Sequence, residues 1–392
     1  MKMEKKKTIL HMSSLGIWDI NKGAGRVSTY LPIMGMIKDG FGMSFLSSSN
    51  NVQNGMMENM KLIRIHVPFT NCRSFFQFLL YPIMCVFYIY YGIKEAYKLK
   101  PSIVYAHCVH TAFPAYIIAK KMHAKYVIRL YGVCRYPREK WRHFPSYLMR
   151  KFSLSLKADA YILTNDGTAA DLFAKECGAK DERIFFLRNG IKTDVKLCYD
   201  YTLRNRITKD SEKLIISLSR LGNGKQVDLI IKAMPGIIKR ISAKLLIIGD
   251  GDQREYLEKL ACELGVEDNV VFLGAKKQSE VYRYLQISDL FISMNSASSM
   301  SNPVFESMLC AVPVLALNKG TTKDLITDGV NGYIIEEKDL DNMPLRVEAI
   351  LRDDITRKQI GQNARQYILD NFQTWDERVA TEIDILNSLI NE

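Results

Sequence analysis

LIISLSRLGNGKQVDLIIKAM, residues 214–234, decides the fold. It opens on a short run of Leu, Ile and Ser with the β-branched, apolar character of a buried strand. It closes on apolar side chains spaced for one face of a helix. Between the two, Gly222-Asn223-Gly224 makes a flexible turn flanked by Arg220 and Lys225. A strand that passes through a glycine turn into a helix is the opening of a βαβ unit, and such units assemble into parallel sheets covered by helices.

The same alternation extends in both directions. Strand-like runs TILHM, GMSFL, LIRIHV, SIVYAH, KYVIRL, DAYILT and RIFFL precede it, and KLLIIG, NVVFLG, LFISM and VPVLAL follow, with helix-period segments between nearly all of them. A chain of 392 residues exceeds one ordinary core and suits two domains of about 200 residues each. Periodicity lapses in the polar stretch 194–212, which places the boundary there. The expectation is a first domain over 1–195, a second over 196–373, and a closing helix over 374–392 with Thr374 as its N-cap.

Composition narrows the class. An apolar fraction of 47% with 24% charged residues is ordinary for a globular protein. Eight cysteines are scattered with no C-x-x-C pair, which argues against a zinc site or a disulfide framework and for a reducing cytosol. No secretory signal is visible: the basic MKMEKKK is followed by a short strand and no small-residue cleavage site. Residues 1–200 carry 30 Lys+Arg against 14 Asp+Glu, whereas the remainder is mildly acidic. The basic half therefore suits an anionic partner, a phosphorylated substrate or an acidic membrane leaflet. A nucleic acid fits poorly, because the basic residues are dispersed and no recognised motif is present.

FFQFLLYPIMCVFYIYYGI (75–93) has no charge over its length. Pro82, Gln77 and four tyrosines make it a poor transmembrane span, and it joins two strands of one sheet. It reads as a helix packed on the sheet, with one face available to a membrane interface.

In open parallel sheets ligands gather beyond the carboxyl ends of the strands. The loop after the first strand, GIWDINKGAGR, offers Gly23 and Gly25 for close backbone approach to an anion. In the loop after residues 214–219, Arg220 can fork onto two diphosphate oxygens while Lys225 adds a point charge. It is not a P-loop, since the upstream glycine is missing and Gln226 replaces Ser/Thr. A third loop, SASSMSNPVFESM (296–308), starts a helix with Asn302 as N-cap and Pro303 in first position, and its free N–H groups suit an anion. Glu306, one turn in, can accept two hydrogen bonds from a ribose diol.

In and around these loops the sequence resembles a family. SLSRLGNGKQVDLIIKAM, LLIIGDGDQREYLEKLACELGVEDNVVFLGA, NPVFESMLCAVPVLA and GTTKDLITDGVNGYII look like consecutive signatures of the family 4 glycosyltransferases. In the first half, SIVYAH, KGAGR and RNGIK (188–192) are looser matches. The resemblance implies an α/β GT-B fold: two Rossmann-like parallel-sheet domains facing across a cleft, with the C-terminal helix closing back on the first. It implies retaining, metal-independent transfer of a hexose-type sugar from a nucleotide diphosphate sugar, with no cofactor. It places Arg220 and Lys225 on the donor diphosphate and Glu306 on the ribose, as the catalytic set. Gly23, Gly25, Arg129, Tyr131, Asn189, Gly249, Gly251, Lys276, Ser298, Ser301, Asn302 and Pro303 fall at or near donor-binding positions, Lys276 beside Ala275 in the turn that meets the base. Two departures stand out. Ser298 occupies the first position of the family's E-x7-E motif, and Tyr131 stands where a histidine is usual, so His107 and His110 become candidates for sugar or acceptor contact.

The implied acceptor is a glycan or lipid-linked glycan, in bacterial surface polysaccharide synthesis, with the protein cytoplasmic and peripheral at the inner face of the membrane. Two other readings remain open at this point: a sugar-nucleotide epimerase of the same shape, and a catalytically degenerate binding protein.

Overall fold

The computed structural model describes residues 7–16, 27–50, 52–68, 74–132, 144–209 and 211–392. The chain separates into two compact units, Met1–Asn189 with Trp375–Glu392, and Gly190–Thr374.

The first unit contains, in chain order, β1 (Thr8–Ser13), α1 (Val27–Lys38), β2 (Gly42–Ser47), β3 (Gly55–Met57), β4 (Met60–Arg64), α2 (Ser74–Leu79), α3 (Tyr81–Leu99), β5 (Ile103–His107), α4 (Val109–Met122), β6 (Lys125–Leu130), α5 (Phe144–Ser155), β7 (Ala160–Thr164), α6 (Ala170–Glu176) and β8 (Ile184–Leu187). The strand order is β3-β4-β2-β1-β5-β6-β7-β8. All neighbours are parallel except the short edge strand β3.

The second unit holds α7 (Tyr201–Ile207), β9 (Lys213–Leu218), α8 (Val227–Ile238), β10 (Ala243–Ile248), α9 (Arg254–Glu263), β11 (Val270–Gly274), α10 (Gln278–Gln286), β12 (Leu290–Ser293), α11 (Asn302–Leu309), β13 (Val314–Leu317), β14 (Tyr333–Ile335), α12 (Met343–Arg352) and α13 (Asp354–Asn371). Its six strands, all parallel, run β11-β10-β9-β12-β13-β14. The chain ends in α14 (Trp375–Asn391).

Strands in such sheets are buried on both faces, and the sequence supplies both. In β1, Leu10 and Met12 enter a core with α3 and α4, while Ile9 enters the opposite core with α1 and α14. In the second unit Ile215 and Leu245 pack against α8, and Leu214 and Ile216 against α11 and α13. Ile385, Leu386 and Leu389 of α14 complete the first unit's core.

Two expectations need adjustment. The division between the units falls at Asn189–Gly190, a few residues ahead of the polar run 194–212, and α7 within that run docks on the second unit. Arg204 of α7 donates to the carbonyls of Ile287 and Glu212 and to Asp289, each within 2.7 Å. The uncharged segment 75–93 is divided between α2 and α3, with the break just before Pro82. Among the described residues no helix is long and apolar enough to cross a membrane.

Candidate active site

In the second unit the chain leaves β9 toward β10 and β11 on one side and toward β12, β13 and β14 on the other. Its helix α8 packs on one face of the sheet, whereas α11, which follows β12, packs on the other. The helices that follow β9 and β12 therefore run to opposite faces of the sheet, the arrangement that opens a ligand crevice at the carboxyl edge of a parallel sheet.

Four exit loops are stitched along that edge. Gly249 N–H, after β10, donates to the Gly274 carbonyl at the end of β11, at 2.9 Å. Ser219 N–H donates to Ile248 O and Leu221 N–H to Asp250 O, at 3.0 and 2.9 Å. On the other side, the Ser296 N–H and hydroxyl both donate to Gly224 O, at 3.0 and 3.1 Å. Glycine is required here. A Cβ on Gly249, whose φ is +133°, would lie 1.8 Å from the Ser219 carbonyl oxygen, and one on Gly251 would lie 2.3 Å from that of Leu221.

This stitching sets the loop that carries Arg220 and Lys225 beside the Ser296–Asn302 loop. Arg220 is exposed, and its side chain has no partner among the described residues. Lys225 is half-buried and ends the Gly222–Lys225 turn, where its N–H donates to Gly222 O at 2.8 Å. The Ser219 and Ser299 hydroxyls, one on each loop, are buried without a hydrogen-bond partner among the described residues. An unpaired buried hydroxyl costs about 1–3 kcal/mol, so two flanking a crevice favour a polar ligand. Sequence reasoning missed both serines, because their isolation is set by tertiary packing.

The start of α11 differs from expectation. Ser301, in extended geometry, is the N-cap, and Asn302 is the first helical residue. The first-turn N–H groups of Val304 and Phe305 both donate to Ser301 O, and Pro303 has none. What α11 offers an anion is therefore Asn302 and the positive end of its dipole, worth about 0.3–1 kcal/mol, rather than a row of free donors.

Ser298 is buried, and its hydroxyl accepts the Met300 N–H at 3.1 Å, which leaves its O–H to donate. Glu306 accepts from Gln278 Nε2 at 2.8 Å, joining α11 to the first turn of α10. Burial pushes its carboxyl up to about 7, although the Gln278 bond opposes the rise. Lys276 lies half-buried in the turn between β11 and α10.

The first unit has its own switch point, between β1 and β5. His11 Nδ1 and His107 Nε2 are 2.9 Å apart, and His107 Nδ1 is 2.9 Å from the Tyr131 hydroxyl. Burial lowers His11 to about 3 and His107 well below its usual value. Both rings are thus neutral near pH 7 and share one proton line with Tyr131. Beside them, Ser14 Oγ lies 3.0 Å from the Cys108 thiol and 3.5 Å from His110 Nδ1. Burial alone would raise the thiol, yet His110 and Ser14 bring it down to about 6, while the same pairing raises His110 against its own burial.

Arg129, set at or near the donor-binding positions by the resemblance, is fully buried. Its guanidinium lies 3.8 Å from Glu382 and 5.0 Å from the centre of the Tyr131 ring. This ion pair holds α14 to the sheet. Asn189 is half-buried at the end of the first unit. Gly23 and Gly25 lie outside the described residues. Among the described residues no three His, Cys, Asp or Glu side chains gather as a metal site.

The fold is the GT-B arrangement of two Rossmann-like units. The structure superposes on sucrose-phosphate synthase from Thermosynechococcus elongatus with a TM-score of 0.79 at 15% identity, covering 98% of this chain and 100% of that one. Residues 201–367 match the family model described as glycosyl transferases group 1. Among curated relatives, the chain is 29% identical over 206 residues to N-acetyl-alpha-D-glucosaminyl L-malate synthase from Bacillus anthracis, spanning 53% of this chain and 51% of the relative. It is 28% identical over 193 residues to the GDP-mannose-dependent alpha-(1-6)-phosphatidylinositol monomannoside mannosyltransferase of Mycolicibacterium smegmatis, spanning 47% and 50%. The chain thus spans about half the length of the curated relatives it matches.

Proposed function

We propose that the protein is a retaining, metal-independent glycosyltransferase that moves a hexose-type sugar from a nucleotide diphosphate sugar to a hydroxyl of a glycan or lipid-linked glycan. The observation that carries this reading is the double hydrogen bond from Ser296 to Gly224. It fixes the loop bearing Arg220 and Lys225 to the loop that opens α11, beside two unpaired serine hydroxyls. Such a surface suits a diphosphate. The relative named as GDP-mannose-dependent supports a nucleotide sugar as donor, and its phosphatidylinositol-linked acceptor supports a lipid-borne one.

In the proposed reaction the bond from the anomeric carbon to the diphosphate oxygen breaks and charge builds on the departing diphosphate. Arg220 forks onto its oxygens, Lys225 adds a second positive charge, and α11 adds its dipole. Glu306, as a carboxylate, accepts from the ribose diol. No side-chain nucleophile is invoked: the acceptor hydroxyl attacks the face the diphosphate leaves, and its proton passes to a phosphate oxygen. The cell context proposed is bacterial surface polysaccharide synthesis at the cytoplasmic face of the membrane.

The test is transfer from a panel of uridine, guanosine and adenosine diphosphate sugars to extracted lipid-linked glycans, read by mass spectrometry. Lys225→Ala and Arg220→Ala should each lower kcat/KM about a hundredfold or more. Unchanged turnover in both would remove the diphosphate clamp. Conversion of the nucleotide sugar without acceptor, into its epimer, would replace transfer by epimerisation.

A further inference from the structure

The outward face of α3 is inverted relative to an ordinary surface helix. Its buried side holds Met84, Tyr88, Gly92 and Ala96, as a core-facing stripe should. Its solvent side, where charges belong, carries Ile83, Val86, Tyr90 and Tyr97, of which Val86 is 65% and Tyr90 61% exposed. Spacings of three, four and seven residues set these side chains on one line, and α2, just before α3 in the chain, adds exposed Phe76 and Leu79. An apolar line of this length on a water-facing helix marks an interaction surface.

The charges that do occur are of one sign and lie at one end. Lys94 and Lys98, on the last turns of α3, are exposed and have no acidic partner among the described residues. Lys121 of the neighbouring helix α4 places its ammonium 5.9 Å from the centre of the Tyr97 ring, and Lys120 is beside it. Lys94 and Lys98 also line a cavity of about 430 Å³ between α3 and the sheet edge, together with Lys61, Tyr91 and the exposed Met56. The sole carboxylate there, Glu95, is buried and already neutralised by Lys61 at 3.0 Å.

We infer that the α2–α3 face docks this unit on an anionic lipid bilayer: the apolar line enters the acyl boundary, and the lysine end meets the phosphate headgroups. The charge pattern selects this occupant. A second copy of the chain would bring the same lysines together, whereas an anionic bilayer offers apolar depth and negative charge along one plane. Tyrosines at the lysine end suit the headgroup level, where an aromatic body is buried and its hydroxyl stays wet. No helix among the described residues is long and apolar enough to span, so the contact is in the plane of the interface. The purpose of this surface rests on the lipid-linked acceptor proposed above, but the binding is measured without turnover.

The experiment is flotation of the full chain with phosphatidylcholine vesicles containing or lacking phosphatidylglycerol, over a range of salt. The parent should float with anionic vesicles, weakly with neutral ones, and less as salt rises. Val86→Ser with Tyr90→Ser should lower the partition coefficient about tenfold or more. Lys94→Glu with Lys98→Glu should lower it similarly and flatten its salt dependence. Circular dichroism melting confirms that each variant folds. Equal flotation of parent and variants, no flotation of the parent, or a Tyr90-dependent dimer on size exclusion would each overturn the inference. Glu306→Ala keeps flotation separate from donor binding: loss of nucleotide affinity with vesicle binding intact leaves docking standing, and the reverse leaves the transferase reading standing.

Discussion

At the scale of single residues, Glu306 has the most measurable property. Its carboxyl, raised to about 7 by burial, is mostly protonated at pH 6 and mostly ionised at pH 8. A ribose diol needs the ionised form as acceptor, so affinity for a nucleoside diphosphate should rise across this range and level above it, by up to about tenfold per pH unit below 7. Titration calorimetry on parent and Glu306→Gln checks this, since the nucleotide's own phosphate titrates equally in both and the difference belongs to the carboxyl. Stability runs the other way. A carboxyl raised on folding contributes stability below its unfolded value that is lost as pH rises through about 7. Glu306→Gln should therefore melt higher than the parent at pH 8, and the gap should close at pH 5. The residue itself was legible in the sequence, one turn into a helix after a serine-rich loop. Its depressed acidity was not, because the Gln278 contact and the burial depend on how α10 and α11 pack.

Among the elements, the exits of β9 and β10 leave no room for a side chain at Gly249. Gly249→Ala would place a methyl against the Ser219 carbonyl in a backbone region closed to side chains, at a cost of at least about 2 kcal/mol. Gly178, whose φ is +91° with open space around it, supplies the comparison. Gly178→Ala should cost about 1 kcal/mol from the backbone alone and leave nucleotide affinity untouched, whereas Gly249→Ala should lose both. Thermal melts with and without nucleotide read the two effects. The strands of the second unit from β9 to β13 were readable as apolar runs, since a parallel sheet buries both faces and writes near-continuous hydrophobic segments. β3 was not, because a three-residue edge strand of one glycine and two methionines carries no period. The same two-sided burial explains why the direction of Arg129 could not be read. Alternation tells one face from the other only when one of them is wet, and in β6 neither is.

For the molecule as a whole, the buried charges around α14 matter most. Glu382 accepts from the Tyr105 hydroxyl at 2.5 Å and from Arg378 at 2.9 Å, with Arg129 at 3.8 Å. Burial alone would raise its carboxyl, yet the two guanidinium groups hold it below the usual range. Glu382→Gln leaves two cations in the core without a counter-charge and should destabilise the first unit by about 3–5 kcal/mol. Denaturant unfolding followed by far-ultraviolet circular dichroism would show this as an earlier first transition. In the parent this contribution is present above the ordinary carboxylate pKa and is lost as pH falls through the lowered one. The sequence suggested a closing helix, and its amphipathic run was enough for that. The carboxylate that fastens it reads from sequence as one more solvated glutamate.

Because α14 belongs to the unit begun by β1, the order of synthesis and the order of folding cannot coincide. Residues 190–374 emerge from the ribosome before Ile385, Leu386 and Leu389 exist to cover Ile33 and Met36. Until then the nascent first unit presents an uncapped greasy flank, so this protein depends on late closure, and any fusion or truncation near α14 strikes the oldest part of the chain.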